Sequence, residues 1–250
     1  MPRTSSSVAS KVLALLGAFD ATHRELSLTD LARRAGLTLS TAQRRAAELV
    51  AWGALERTGD GRYRVGLRLW EVGSLAPRGT PLREVALPYL EDLYVVTREN
   101  VQLAVREDTE AVFVERIAGR SAVPVLTRVG GRFALHATGV GLVLLAHAPV
   151  EVFDRVVEQG LTSYTPATIT DPKRLRRVLA DVRRNGWAVS RGAVTEDALS
   201  VAAPVTDARG QVVAAVSLVV LLDGARPAAL APVVRAAARG ISRAYAEAGG

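Results

Sequence analysis

The sequence predicts an α+β chain in two parts, a small helical front part and a larger part in which helices pack on β-hairpins. Three observations carry this reading. Short apolar patterns of helical spacing, punctuated by single glycines, fill residues 8–53. From about residue 100 onward, β-branched runs joined by short polar turns alternate with helical patterns, as in an antiparallel sheet covered by helices. Between the parts lies Ala76-Pro-Arg-Gly-Thr-Pro81, a Pro/Gly break that reads as a domain boundary. The chain has 250 residues, 49% hydrophobic and 23% charged. That is a globular balance, with length enough to bury roughly 70–75% of the unfolded surface.

The first predicted helix covers residues 8–19, with Val8, Val12, Leu15, Leu16 and Phe19 on one side and Ser5 to Ser7 ahead as caps. Ser27-Leu-Thr-Asp30 opens a second, very short helix in the manner of a capping box, and Gly36 stops it. A third helix runs from Leu39 to Trp52 and ends at Gly53. Its Ala42, Ala46, Leu49 and Val50 face inward, which turns Ser40, Thr41, Gln43, Arg44 and Ala47 outward. Two helices joined by a tight glycine-containing turn form a helix-turn-helix, whose second helix enters the DNA major groove through its N-terminal residues. Beyond Gly53, residues 54–58 and 62–66 flank Gly59-Asp60-Gly61 as a hairpin. This hairpin makes the unit a winged helix-turn-helix, with Arg62 and Arg64 placed to meet phosphate or the minor groove. Residues 67–75 form a short connecting helix.

Behind the boundary, a helix is expected from Leu82 to about Arg98, kinked or split near Pro88. Residues 101–106 and 111–117 read as a hairpin, and residues 123–128 as an added strand. Thr138–His147 is an apolar helix. Asp171-Pro172 opens another helix, which Gly186 closes. Strands follow at 187–190, 199–206 and 211–221, and residues 227–247 supply a closing helix. There is no repeat at a period of 20–50 residues.

Composition removes several classes of function. With no cysteine, disulfide frameworks, thiolate zinc sites, iron–sulfur clusters and a cysteine nucleophile are excluded. The three histidines, His23, His136 and His147, are scattered without metal-ligand spacing, so neither a metal nor a cofactor is expected. No signal-like apolar stretch and no uncharged apolar window of about 18 residues occurs, so the expected location is the cytoplasm with no membrane partner. The formal charge is +7, and only Lys11 and Lys173 are lysines. Arginine suits phosphate and base edges because its planar fork donates parallel hydrogen bonds. Positive charge is densest at the front: eight arginines lie within residues 33–68, against Glu48, Glu56 and Asp60. An anionic partner for the front part follows.

Three stretches resemble the isocitrate lyase regulator (IclR) family of bacterial transcription factors. The first is Leu28-Thr-Asp-Leu-Ala-Arg-Arg-Ala-Gly-Leu37 with Ser40, Thr41, Arg44, Gly53-Ala-Leu-Glu-Arg57, Tyr63-Arg64 and Gly66-Leu-Arg-Leu69. The second is Arg128-Val-Gly-Gly-Arg132 with Leu135-His-Ala-Thr138 and Gly141. The third is Tyr164-Thr-Pro166, Thr168-Ile-Thr170, Gly186-Trp187, Val201-Ala-Ala-Pro-Val205 and Val213-Ala-Ala-Val-Ser217. The resemblance covers nearly the whole chain and rests on the order and spacing of these motifs together.

The resemblance implies a winged helix-turn-helix domain at 1–66, a linker helix and boundary at 67–80, and a GAF-like effector-binding domain at 81–250. It implies a homodimer, with a dimer of dimers as an option, on a palindromic operator in double-stranded DNA. Ser40, Thr41, Gln43 and Arg44 then face base edges or nearby phosphates, with Arg44 for a guanine, while Arg33, Arg34, Arg62 and Arg64 face phosphates. Arg45 stands where the family carries an apolar residue. The implied effector pocket is formed by Leu135, Gly139, Val140, Ser190, Ser200, Ser217 and Val219. Many members carry Asp where Ser190 stands, Cys at Ser200 and Ser at Val219, so the effectors of relatives do not transfer directly. The expected ligand is a small organic molecule, carboxylate-bearing or aromatic, with a helix N-terminus near Thr138 offering N–H groups.

Two rivals were weighed against this reading. Ser200, His136 and Asp197 supply the residue types of a hydrolase triad, but no G-x-S-x-G elbow accompanies them, and the glycine-rich loops of dinucleotide or methyl-donor enzymes are missing. A winged helix that binds protein instead of DNA is the other alternative. Steep salt dependence marks DNA binding and separates the two.

Overall fold

The structure is a computed structural model, and it describes residues 7–20, 22–76, 80–119 and 122–249. The chain divides into two compact units, Met1–Ala76 and Pro77–Gly250.

In the first unit, α1 (Val8–Leu16), α2 (Leu28–Ala35) and α3 (Leu39–Trp52) pack around Leu15, Leu31, Ala42, Ala46, Leu49, Leu55 and Tyr63. Their ends follow from short polar and glycine residues. Ser27 Oγ accepts from the Asp30 N–H at 3.1 Å and donates to the Asp30 carboxylate at 2.7 Å. Thr38 caps α3 by accepting from the Thr41 N–H. Gly36 and Gly53 end α2 and α3 at φ 65° and 89°, a left-handed conformation that side chains resist. The first helix stops at Leu16, a turn before the apolar pattern does, with Gly17 at its cap. β2 (Leu55–Arg57) and β3 (Tyr63–Val65) form the expected hairpin, pairing Leu55 with Val65 and Glu56 with Arg64. A two-residue strand, β1 (Glu25–Leu26), adds to β3 through Leu26 and Tyr63, both buried. It is too short for any sequence period to reveal. Gly66 donates its N–H to the Ala54 carbonyl at 2.8 Å, and a Cβ there would lie 2.2 Å from the Gly53 carbonyl oxygen. Only glycine lets the wing cross the end of α3 so closely. α4 (Leu67–Gly73) follows.

The second unit is a six-stranded antiparallel sheet with helices on both faces, among the described residues. The strands are β4 (Asn100–Glu107), β5 (Glu110–Ile117), β6 (Arg132–Ala134), β7 (Ala188–Arg191), β8 (Ala198–Thr206) and β9 (Val212–Leu221), in the order β6-β5-β4-β9-β8-β7. Alternation along the strands feeds two cores. Val101, Leu103, Val105, Val201, Val216 and Leu218 pack on one face with α5 (Thr80–Thr97) and α9 (Pro227–Glu247). Ala104, Phe113, Ala202 and Ala215 pack on the other with α6 (Gly139–Ala146), α7 (Val150–Glu158) and α8 (Pro172–Asn185). Every residue of α6 is buried, which explains why it is apolar all round.

Three expectations need correction. Residues 123–128 form no strand: Pro124 has no N–H to give a ladder, and buried side chains of β4 hold the segment instead, Asn100 Nδ2 donating to the Val123 carbonyl at 2.8 Å. α5 runs unbroken through Pro88, whose exposed position leaves the unpartnered Glu84 carbonyl on the solvent side while Leu82, Ala86, Leu90 and Leu93 anchor the inner side. α7 and β6 were not foreseen at all.

Candidate functional site

The outward side of α3 presents Ser40, Gln43 and Arg44 to solvent, with Thr41 half-buried at the N-terminal turn. Arg44 makes no hydrogen bond or ion pair among the described residues. The other arginines differ. Arg33, Arg62 and Arg64 are exposed but lie against carboxylates: Asp30 at 3.0 Å, Asp60 at 3.4 Å and Glu56 at 2.8 Å. Those are surface pairs, which an incoming phosphate can replace at little cost. Arg34 is bonded within the unit. Its Nε donates to the Ala18 carbonyl at 2.6 Å and its Nη2 to Asp20 at 2.5 Å, so it clamps α2 to the segment after α1. Hydrogen bonds from Thr22 and His23 hold the Asp20 carboxyl well below the usual carboxylate range, so the clamp stays charged. Arg45 is likewise held, by Glu48 at 2.5 Å.

The second unit contains a partly open cleft with about 430 Å³ of space between its walls, a figure that includes solvent at its mouth. Its floor is a cross-strand row in which Ser190 pairs with Ser200 and Ser200 with Val219. Its walls are Phe113, Val125, Leu126 and Thr127 on one side, and Ala193, Val194 and Thr195 on another. Thr165 and Thr168 fix the latter loop by donating to the carbonyls of Gly192 and Ala193, each at 2.6 Å. The N-terminus of α6 closes the cavity. Thr138 takes the Gly141 N–H on its hydroxyl and the Leu142 N–H on its carbonyl. The first two N–H groups, of Gly139 and Val140, have no partner within the helix, and both residues line the cavity. A Cβ on Gly139 would lie 2.5 Å from Ser200 Oγ, so glycine lets this positive helix end reach the sheet. Among the described residues, no charged side chain lines the cavity.

Of the residues expected here, Gly139, Val140, Ser190, Ser200 and Val219 line the cavity. Leu135 does not: it is buried in the core beneath α6. Ser217 is buried behind Gln102, to which its hydroxyl donates at 3.5 Å. Sequence reasoning passed over Gln102, Phe113, Thr127 and Thr195. For Gln102 a signal existed, because Asn100 and Gln102 are polar residues alternating with Val101, Leu103 and Val105, a pattern that puts amides on a covered sheet face. His136, buried, donates from Nε2 to the Thr162 carbonyl at 3.0 Å, and burial holds its pKa below the ordinary histidine value. Among the described residues, no helix is long and apolar enough to cross a membrane, and no group of acidic or histidine side chains is placed to hold a metal ion.

Comparison with known proteins agrees with this arrangement. Residues 8–59 match the family described as the IclR helix-turn-helix domain, and residues 76–243 match the bacterial transcriptional regulator IclR C-terminal domain. The chain is 30% identical over 88% of its length to the HTH-type transcriptional regulator XynR of Escherichia coli, spanning 88% of that protein. It is 32% identical to BhcR of Paracoccus denitrificans, over 87% of this chain and 80% of the other. Among solved structures, an IclR homolog from Microbacterium hydrocarbonoxydans complexed with 4-hydroxybenzoate superposes with a TM-score of 0.89 at 40% identity, covering 96% of this chain and 99% of that one. The Thermotoga maritima IclR structure gives 0.77 at 27% identity, covering 95% and 98%. The chain belongs to the IclR family of DNA-binding transcriptional regulators whose operator binding a small effector modulates.

Proposed function

We propose that this regulator binds a palindromic operator as a homodimer and that a small aromatic carboxylate, held in the cavity of the second unit, sets its occupancy. The observation that carries the effector class is the pairing, among the described residues, of two α6 N–H groups that have no partner within the helix with walls of Phe113, Val125 and Val219 and no charged side chain. An isolated carboxylate fits the helix end, and an aromatic ring fits the apolar walls. The 4-hydroxybenzoate in the Microbacterium structure supports the same chemistry.

On the DNA side, Arg44 is assigned to a guanine edge and Ser40, Thr41 and Gln43 to neighbouring bases or phosphates, with Arg33, Arg62 and Arg64 exchanging their carboxylates for phosphates. The homodimer reading rests on α4 and the turn after it, where Leu67, Trp70 and Leu75 are 62%, 68% and 78% exposed. Effector binding then shifts the population between dimer geometries that do and do not match the half-site spacing, with α4 as the lever. Catalysis is not part of this reading, since the His136 imidazole is turned to the Thr162 carbonyl and does not line the cavity that holds Ser200. The protein acts in the cytoplasm, where the chromosome lies. Calorimetric titration of the full chain with benzoates and with aliphatic keto acids tests the effector class. Heat from the aromatic acids supports it, and heat from the aliphatic acids alone rejects it.

A further inference from the structure

Gln102 is 3% exposed and lines the cavity, and its side-chain amide can donate two hydrogen bonds and accept two. Among the described residues it donates one to Thr127 Oγ1 at 2.5 Å and accepts one long bond, from Ser217 at 3.5 Å. One N–H and one acceptor position of this buried, cavity-lining amide are therefore unused by the bonds it makes among the described residues. Thr127 accepts from Gln102 and still has its own hydroxyl proton to give. Opposite stands the α6 N-terminus, seated on Ser200 of β8. Gln102 of β4 pairs with Ser217 of β9, which pairs with Ala202 of β8, so Ala202, whose Cβ would lie 3.4 Å from a Cβ on Gly139, is two strand spacings from Gln102, roughly 9–10 Å at the backbone, and Ser200 lies two residues farther along β8. Phe113, Val140 and Val219 add apolar lining to the same cavity. A benzene ring with polar groups at opposite ends matches that arrangement.

We infer that Gln102, together with Thr127, reads a hydroxyl at the end of the effector remote from its carboxylate, and so selects 4-hydroxylated benzoates over benzoate. The inference rests on the reading of the cavity as an aromatic-carboxylate site. Gln102 acts here by touching the ligand, and Thr127 both touches it and orients the amide.

The test is calorimetry on the full chain with benzoate, 3-hydroxybenzoate and 4-hydroxybenzoate, for the wild type, Gln102→Leu and Thr127→Val. The wild type is expected to prefer 4-hydroxybenzoate over benzoate by ~5–150-fold, the cost of leaving a buried amide unpaired when the hydroxyl is absent. Gln102→Leu should bring that preference within about threefold while leaving benzoate affinity within about threefold of wild type. A merely structural glutamine would instead weaken all three acids together, which overturns the inference. Should Gln102→Leu fail to fold, the wild-type preference and its reduction in Thr127→Val decide the matter. Equal wild-type affinity for benzoate and 4-hydroxybenzoate, or a preference unchanged in the variants, overturns the inference and leaves the aromatic-carboxylate reading standing. No heat from any of the three acids removes both.

Discussion

What already holds a guanidinium sets the cost of its reaching DNA, and that cost separates Arg44, which has no hydrogen bond or ion pair among the described residues, from Arg34, which is bonded to Ala18 and Asp20. Arg44→Ala removes a group engaged by no hydrogen bond or ion pair among the described residues, so folding is expected to be unaffected. Specific operator affinity should fall ~10–100-fold, the range for a lost bidentate base contact, as read by fluorescence anisotropy at fixed salt. Arg34→Ala should do the opposite, lowering the melting temperature because the bonds to Ala18 and Asp20 disappear. Residue types gave no means of telling these two arginines apart, since the partner carbonyl and carboxylate lie sixteen and fourteen positions away. In the pocket the decisive residue is a glycine. Gly139→Ala places a methyl against Ser200 Oγ and Cβ, at 2.5 and 3.1 Å, and must push α6 off the sheet. We expect it to cost about 1–3 kcal/mol of stability and to abolish effector binding while operator binding survives, measured by thermal melts and calorimetry.

Elements whose ends are written in single residues were legible from the sequence. α3 has the bounds Leu39–Trp52 that its pattern gives, because Thr38 and Gly53 punctuate it and alanines at 42 and 46 alone fit the buried side. The wing followed from a Gly/Asp turn between two short runs. What stayed hidden was fixed by distant partners. Residues 123–128 look like a strand, yet Asn100 and Gln102 hold them as a strap, and no local pattern encodes bonds spanning 23 and 25 residues. The pocket was half legible for the same reason: the residues at the α6 N-terminus and on β8 lie within recognisable motifs, whereas Gln102 and Thr127 meet only in the fold. At this scale the firmest expectation concerns Gly66. Its missing Cβ is met by a backbone carbonyl, so Gly66→Ala must displace the wing from the end of α3. Urea unfolding should show a loss of about 1–3 kcal/mol, and operator affinity should drop with it. Ser27→Ala, which only uncaps α2, should cost about 1 kcal/mol and leave affinity nearly intact.

At the scale of the molecule, the first unit carries a characteristic acid sensitivity. Asp20, Asp30, Glu48, Glu56 and Asp60 all lie below their ordinary values of 3.8 and 4.5, chiefly through hydrogen bonds from Thr22, Ser27, Arg45, Arg64 and Thr58 in turn. Folded-state values below the unfolded ones mean stability that is fully present above about pH 5 and is lost as the pH falls through and below 4. Urea midpoints should therefore fall between pH 5 and 3 from these carboxylates, in addition to the fall between pH 7 and 5 expected from His136 of the second unit, whose buried ring is held below its ordinary value of 6.5. With Arg33, Arg44, Arg62 and Arg64 on DNA as proposed, a logarithmic plot of affinity against salt should fall steeply. Joining the two units into one function requires that a ligand in the cavity prefer one operator-binding state over another. The most direct measurement is anisotropy titration of a palindromic duplex, selected by the full chain from a random library, with and without saturating 4-hydroxybenzoate at one salt concentration. A shift in operator Kd of about 5–150-fold is the expected result. An unchanged Kd, with the acid shown by calorimetry to be bound, would contradict the coupling between cavity and recognition helix.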